Sequence, residues 1–589
     1  MKKIILPFLS ACMTFTLSAA GVTAIRVNQV GYLPDDIKVA VLMTESEKPV
    51  TEAYAVNSET GKKYPVKVTA SAPWKPMAQS LRIDFSGITA PGKYRIEAAG
   101  TKSPEFRIGE DVYSGLNEIP LYYMRQQRCG FNPNLGTVCH QLDGKLVLSG
   151  ERDGEHIDVT GGWHDASDYL QYLTTSANAV YQMLFAYQEN PEVWGDSFKA
   201  DGTPGKNGVP DILDEARWGL EWMMKMNPSD TLFLNQIADD RDHKFYGLPA
   251  DDTADYGWGA GKDRPVYPCK GEPYGLFKYK NKSRGLASSL GKFASSFALG
   301  SEVFREADPE FSKELLRRSQ VAYNVGKDNP GACQTAPCVS PYYYEEDNFA
   351  DDMELAAATL HRITGNPELM NEAVDYGRLE PVTPWMGADS AKHYQWYPFV
   401  NLGHPLLVRQ GNGAVSKEFT RNIRSGLQRV KEKGEENAFL CGIPFIWCSN
   451  NLAVALVTQA MLYRELTGDE RFRDIETATR DWLFGCNPWG TSMIVGLPEN
   501  GDYPEDPHSA LSHKYKIPVT GGLVDGPIYT SKFNSLWGVH LEREDPYAPF
   551  QNSIVVYHDD NSDYSTNEPT MDGTASTTYF LGKLAKPAK

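Results

Sequence analysis

The chain has 589 residues, a formal net charge of −18, and 41% hydrophobic and 11% aromatic residues. That length exceeds an ordinary single domain and predicts two, while the apolar content excludes a disordered chain. The acidic balance excludes nucleic acid as a partner, since phosphates are repelled, and the aromatic richness suits a neutral, flat-faced partner such as a sugar ring.

The opening residues, MKKIILPFLSACMTFTLSAAGVTA, run from two lysines through an apolar stretch to small residues around Ala20. This layout predicts a secretory signal over residues 1–20 and an exported mature chain. Lipid attachment at Cys12, within LSAC, is the alternative carried by the same segment. No later apolar run reaches the ~18 residues of a membrane span.

Over residues 25–108 short alternating runs follow one another, IRVNQVGYLP, KVAVLMTE, SLRIDFSGI and GKYRIEAAG among them, separated by Pro, Gly, Asn and Asp. Their spacing predicts a small immunoglobulin-like β-sandwich. From about Asp111 the apolar residues recur three and four apart, as in SANAVYQMLFAYQEN, SSLGKFASSFALGSEVFREAD and NNLAVALVTQAMLYRELTGD, and predict amphipathic helices. The joints FREADPEFSKELL, ITGNPELMNEAV and LTGDERFRDIET each set a short polar or glycine-containing link between an outgoing and a returning helix. Repeated helical hairpins predict a mainly α domain over residues 111–586, a closed (α/α) barrel whose Trp-, Tyr- and Asp-rich loops hold the site.

Two stretches carry the chemistry. GGWHDASDY, residues 161–169, puts Asp165 and Asp168 three residues apart beside His164, just ahead of the first long helix. A helix N-cap accounts for one aspartate but not for two among a Trp, a His and a Tyr. Far downstream, DYSTNEPTMDG places Glu568 before the last helix, where by itself it reads as a favourable dipole partner.

Taken together with VNQVGYLP at 27–34, NGVPDILDEARWGLEWMMKMN from Asn207, CNPWGTSMIVG from Cys486 and PHSALS from Pro507, these motifs stand in the order seen in glycoside hydrolase family 9. The whole mature chain resembles the subgroup whose catalytic barrel follows an immunoglobulin-like domain. The resemblance implies an (α/α)6 barrel and an inverting endo-β-1,4-glucanase, working as a monomer on cellulose, xyloglucan or mixed-linkage glucan. It makes Glu568 the general acid and Asp168 the general base, with Asp165 helping to position the water. The alternatives are an exo-acting β-glucosidase or glucosaminidase on the same fold, with the insert at 248–281 closing one end of the cleft, or a non-catalytic glycan-binding protein.

Two departures stand out against the family. Ser167 occupies a position that is commonly Gly, where its hydroxyl either alters the turn or bonds one of the aspartates. His508 matches the family's substrate-contacting histidine, yet Ser509 and Ala510 follow it in place of a second His and an Arg.

Cys129, Cys139, His140 and His164 supply two thiolates and two imidazoles, a set suited to tetrahedral zinc, and the subgroup carries a matching structural site. Asp351 and Asp352 fall where relatives have an Asp-Glu pair that binds calcium; the plain alternative is a pair of acids favouring a helix start. Trp258, Trp396 and Tyr564 are expected to stack on sugar faces. Cys333 with Cys338, or Cys441 with Cys448, makes a disulfide candidate in an exported protein.

Overall fold

The computed structural model describes residues 21–586, so the signal segment and Cys12 lie outside the described residues. Eight strands build the N-terminal domain: β1 (Thr23–Arg26), β2 (Val39–Thr44), β3 (Ala53–Asn57), β4 (Lys63–Ser71), β5 (Gln79–Asp84), β6 (Gly92–Ala98), β7 (Thr101–Lys102) and β8 (Phe106–Ile108). Their order is β1-β2-β5-β4-β3-β6-β7, with β8 on β6, and β4 is long enough to pair with both β5 and β3. The alternation seen in the sequence buries Ile25, Val27, Leu42, Ile83, Tyr94, Ile96 and Phe106 in a separate core. Val41 and Met43 point the other way, into the core of the second domain. Polar ties reinforce that seam: Asn28 donates to Asp481 at 2.8 Å, and the buried Arg480 lies 3.0 Å from Asp36.

The second domain is a double ring of helices. The inner ring is α2 (Leu173–Glu189), α4 (Ala287–Val303), α6 (Ala350–Thr364), α8 (Gly403–Gln410), α10 (Ser449–Thr467) and α14 (Met571–Ser576), each packed on the next, with α14 returning to α2. The outer ring is α1 (Ile119–Gln127), α3 (Asp211–Lys225), α5 (Pro309–Asp328), α7 (Pro367–Leu379), α9 (Gly413–Gly434) and α11 (Arg473–Leu483). Their burial separates the two rings: nearly all of α4 and α10 is buried, whereas α5 and α9 bury one stripe of side chains.

The three joints read from the sequence turn the chain as helix ends. Asp308 and Asn366 cap α5 and α7 by accepting from Phe311 and Glu368 backbone N–H groups, and Gly365 and Gly468 take the left-handed conformation after α6 and α10. Among the described residues no helix is long and apolar enough to cross a membrane.

Above the ring lies a small four-stranded sheet of Lys145–Leu146, Pro265–Pro268, Leu234–Ile237 and Gln171–Tyr172. It joins the GGWHDASDY loop to the insert at 248–281, and so holds the loop that feeds α2.

Candidate active site

Tertiary contacts bring Asp165, Asp168 and Glu568 to one place although the chain separates the last by four hundred residues. The loop is pinned from below: Met571 N–H, at the start of α14, donates to Asp165 O at 2.9 Å, and Gln127 bonds the carbonyls of His164 and Ala166. Asp165 is only 3% exposed, and its two carboxylate oxygens accept separately from Thr175 Oγ1 and Tyr344 OH. Burial, with the neighbouring charges of Asp572 and Asp168, pushes its carboxyl well up despite those two hydrogen bonds.

Asp168 is more open, with a side chain 22% exposed, and its Oδ2 lies 3.5 Å from His243 Nε2. Burial opposes protonation of His243, but the hydrogen bond and charge of Asp168, helped by Asp242 and Glu568, outweigh it and raise the imidazole to about 9. Near neutral pH the base candidate therefore faces a histidinium.

Glu568 accepts two hydrogen bonds on Oε1, from Ser167 N–H at 3.1 Å and from the Ser167 hydroxyl. Ser167 thus bonds the glutamate rather than either aspartate. Its donors stabilise the carboxylate, as does His508, yet burial and the charge of Asp168 prevail and the Glu568 carboxyl is raised. A carboxyl shifted toward its neutral form, held by the residue next to a second carboxyl that reaches the cleft, is a pairing suited to an acid and a base.

Rings surround these groups. His508 donates from Nδ1 to Asn561 O at 2.5 Å, and its ring lies 6.1 Å from Tyr564 and 5.5 Å from Tyr246. Tyr564 in turn lies 5.7 Å from Trp447, on which His393 stacks at 5.1 Å. Trp447 donates to Asp525 at 3.0 Å, and Asp525 N–H donates to Glu568 O, so this indole is tied to the backbone of Glu568. Tyr342, His393, Trp447, Tyr529 and Lys532 line a cavity of about 610 Å³ on this side.

His508 and Tyr564 therefore join the carboxylates, whereas Trp258 and Trp396 do not. Trp258 spends its N–H on Asp263 O and carries Lys145 over its face, in a satellite cluster beside Tyr256. Trp396 is half-buried against the main core, outside the cavity lining. Trp447, His243 and Tyr344 were not singled out in the sequence. Only the WCSN and DRDHKF contexts of the first two carry a signal, a polar ring in an irregular loop.

The four candidate zinc ligands converge. Cys129 Sγ lies 3.4 Å from His140 Nδ1 and 4.0 Å from Cys139 Sγ, while His164 Nε2 lies 3.3 Å from His140 Nδ1 and 3.9 Å from Cys139 Sγ. Tetrahedral Zn–S and Zn–N bonds place ligand atoms roughly 3.3–3.8 Å apart, so the set fits the metal. Outer partners are present too: Asp252 bonds His140 Nε2 at 3.0 Å and Arg264 donates to Cys129 Sγ at 3.5 Å. Both come from the 248–281 insert.

Asp351 and Asp352 do not fit calcium. Lys292 inserts its ammonium between Asp352, at 2.8 Å, and Glu346, all three fully buried, while Asp351 accepts from Asn348 at 2.8 Å. The cation in this cluster is a side chain. Among the described residues the cysteines are free thiols. The pairings Cys333–Cys338 and Cys441–Cys448 suggested by sequence spacing are thus not made, and Cys448 Sγ instead lies 3.0 Å from an Asp525 oxygen.

With ring, cleft and carboxylates in place, the comparisons agree. The Glycosyl hydrolase family 9 profile matches residues 113–581, and that of the cellulase N-terminal Ig-like domain matches 21–103. The chain belongs to glycosyl hydrolase family 9. It is a glycoside hydrolase of the cellulase type, with an (α/α)6 barrel behind an immunoglobulin-like domain. Endoglucanase C of Cellulomonas fimi is 27% identical over 95% of this chain, which spans 52% of that longer protein. A cellodextrinase of Butyrivibrio fibrisolvens is 26% identical, over 95% of this chain and 99% of its own length. The crystal structure of a metagenome-derived family 9 endoglucanase superposes with a TM-score of 0.74 at 25% identity, covering 95% of this chain and 99% of that one.

Proposed function

We propose that this family 9 enzyme is an exported, inverting endo-β-1,4-glucanase acting on soluble or amorphous glucan such as cellulose, xyloglucan or mixed-linkage glucan. One observation carries the catalytic assignment: Ser167 holds Glu568, whose carboxyl is raised toward its neutral form, and the next residue along the loop, the half-buried Asp168, faces a histidinium. Protonated Glu568 gives its proton to the glycosidic oxygen as the bond to the anomeric carbon breaks. Asp168 takes a proton from the water whose oxygen attacks that carbon from the opposite face, so the product carries the inverted configuration. Asp165 acts as a positioning group. Each of its oxygens keeps a lone pair after bonding Thr175 and Tyr344, enough to help orient the water.

In this reading Cys129, Cys139, His140 and His164 would hold a zinc ion, which, with four protein ligands, would supply rigidity rather than chemistry. His164 adjoins Asp165, so its ligation would fix one end of the aspartate loop. The layout of the first residues supports export. The deciding experiment is NMR of the first product released from a β-linked oligosaccharide: the α-anomer is expected, and a β-anomer appearing first removes Asp168 from the role of base. A product series with many chain lengths early in barley-glucan digestion supports endo action, whereas a single short product from the outset supports the exo-acting alternative.

A further inference from the structure

Residues 530–550 form an arm between two paired strands at Ile528–Tyr529 and Val555–Val556, and both of its feet are fastened. At the first foot Thr530 bonds Ile554 O and Asn552 O, and Phe533 packs on His558 with ring centres 4.6 Å apart. At the second, Glu542 and Arg543 N–H groups donate to Asp560 Oδ2 at 2.8 and 3.2 Å, and the Arg543 guanidinium lies 3.0 Å from Asp559. Asp559 and Asp560 begin the turn that leads to Glu568, so the arm is bolted to the segment that carries the acid.

Between the feet stands Trp537. Its side chain is 92% exposed, against 68% for the next most exposed large apolar residue, Leu379 on the outer ring. Single exposed apolar side chains are ordinary, and exposure by itself says nothing. Position supplies the argument. Trp537 O accepts the Tyr564 hydroxyl at 2.9 Å, which locks the backbone under the indole to the ring that already faces Trp447 and His508. From the same arm Lys532 reaches to 5.8 Å above the Trp447 ring and lines the cavity. Next to the belt Tyr342, His393, Trp447, Tyr564 thus stands an uncovered indole whose backbone is tied to Tyr564.

We propose that Trp537 is an outer binding platform of the cleft, stacking on the apolar face of a hexopyranose unit in the same β-linked chain that is cut at Glu568. This rests on the glucanase reading above. The arm then acts as a length selector: a chain long enough to reach Trp537 gains the stack, and a short one does not. Because the platform touches sugar away from the cleaved bond, its contribution is the same in bound substrate and transition state. It therefore appears in KM rather than kcat.

The test compares wild type with Trp537→Ala and Trp537→Tyr on cello-oligosaccharides of increasing length and on a short aryl cellobioside. A ring–sugar stack predicts that KM for the longest oligosaccharide rises roughly fivefold in Trp537→Ala, with kcat held. The short substrate is expected to be unchanged, Trp537→Tyr to recover most of the loss, and the melting temperature to stay put because the side chain packs on nothing. A second readout uses Glu568→Gln, titrated with cellohexaose while tryptophan emission is followed. The emission change is expected to shrink when Trp537→Tyr is added. Equal KM changes at every length, or none, overturn the platform. So does a wild-type dimer that Trp537→Ala converts to monomer, which assigns the indole to an interface between copies. A Glu568→Gln variant that remains fully active counts against the catalytic assignment alone, since the length dependence of Trp537→Ala is measured on an enzyme with Glu568 intact.

Discussion

Two pairs of aspartates, Asp165 with Asp168 and Asp351 with Asp352, each stand at the entrance to an inner-ring helix, α2 and α6. Similar local sequence features lead to opposite outcomes. The first pair is split between environments: Asp165 is buried under Tyr344 and Thr175, while Asp168 opens to the cleft beside His243. The second pair is sealed inside the ring, where Asp352 and Glu346 share the Lys292 ammonium and Asp351 accepts from Asn348. What makes an acidic pair reactive is thus unequal solvation. A pair closed off inside the ring, its oxygens held by Lys292 and Asn348, has nothing left to offer a substrate.

The most drastic way to break the comparison is to remove the proton donor that we propose for the open site. Glu568→Gln is expected to cost about a thousandfold or more in turnover on a glucan while leaving the melting temperature near that of the parent. On a substrate with a highly acidic leaving group the loss should be far smaller, because such a group departs without a proton. Equal losses on both substrates, measured side by side, remove Glu568 from the role of acid.

At the sealed site the same logic predicts a stability effect and little change in chemistry. Lys292→Met leaves buried carboxylates without their cation and is expected to cost about 3–5 kcal/mol of unfolding free energy, read by denaturant titration, with KM retained at low temperature. The calcium-selective chelator EGTA should not move the melting temperature. A clear drop restored by added calcium shows that a metal, and not Lys292, neutralises the cluster.

Between these extremes lies the cysteine–histidine set that ties the open site to the fold. Close to one zinc per chain is expected by elemental analysis. Cys139→Ser should lower both the melting temperature and kcat, since His164 adjoins Asp165, with no change in the bonds cut. Protein purified without chelator that holds no zinc, together with a Cys139→Ser variant as stable as the parent, reduces the four residues to packing.

The smallest effect sharpens the open site. Removing the Ser167 hydroxyl takes away a hydrogen bond that favours the charged form of Glu568, so its carboxyl rises further. The acid then stays protonated to higher pH, and the alkaline limb of the kcat/KM profile of Ser167→Ala is expected to move up. A limb moving down shows that the hydroxyl serves the protonated form instead.

Much of this was legible along the chain. The period-two runs before Ile108 and the 3.6-residue period after Asp111 named the two architectures, and Asp308, Asn366, Gly365 and Gly468 marked helix ends where the joints had been read. Such signals are local, because a cap or an amphipathic face is written within one or two turns. The convergence of Cys129, Cys139, His140 and His164 was also legible, since three of the four lie within twelve residues and the residue types limit the chemistry.

Tryptophans were not legible in this way. An indole behaves alike in a core and on a sugar platform until its neighbours are known, so Trp258, expected on a sugar face, spends its N–H on Asp263 O, and Trp447, not singled out, faces Tyr564. Sequence by itself determined which residues could be acid, base, ligand or ring, and which stretches would be strand or helix, because each of those depends on side-chain chemistry and short-range periodicity. Only the tertiary structure decided which charge meets which partner. Ser167 bonds a glutamate 401 positions away and Lys292 enters an acidic cluster from another helix, and the pKa of a carboxyl follows from the burial and charge that such distant contacts impose.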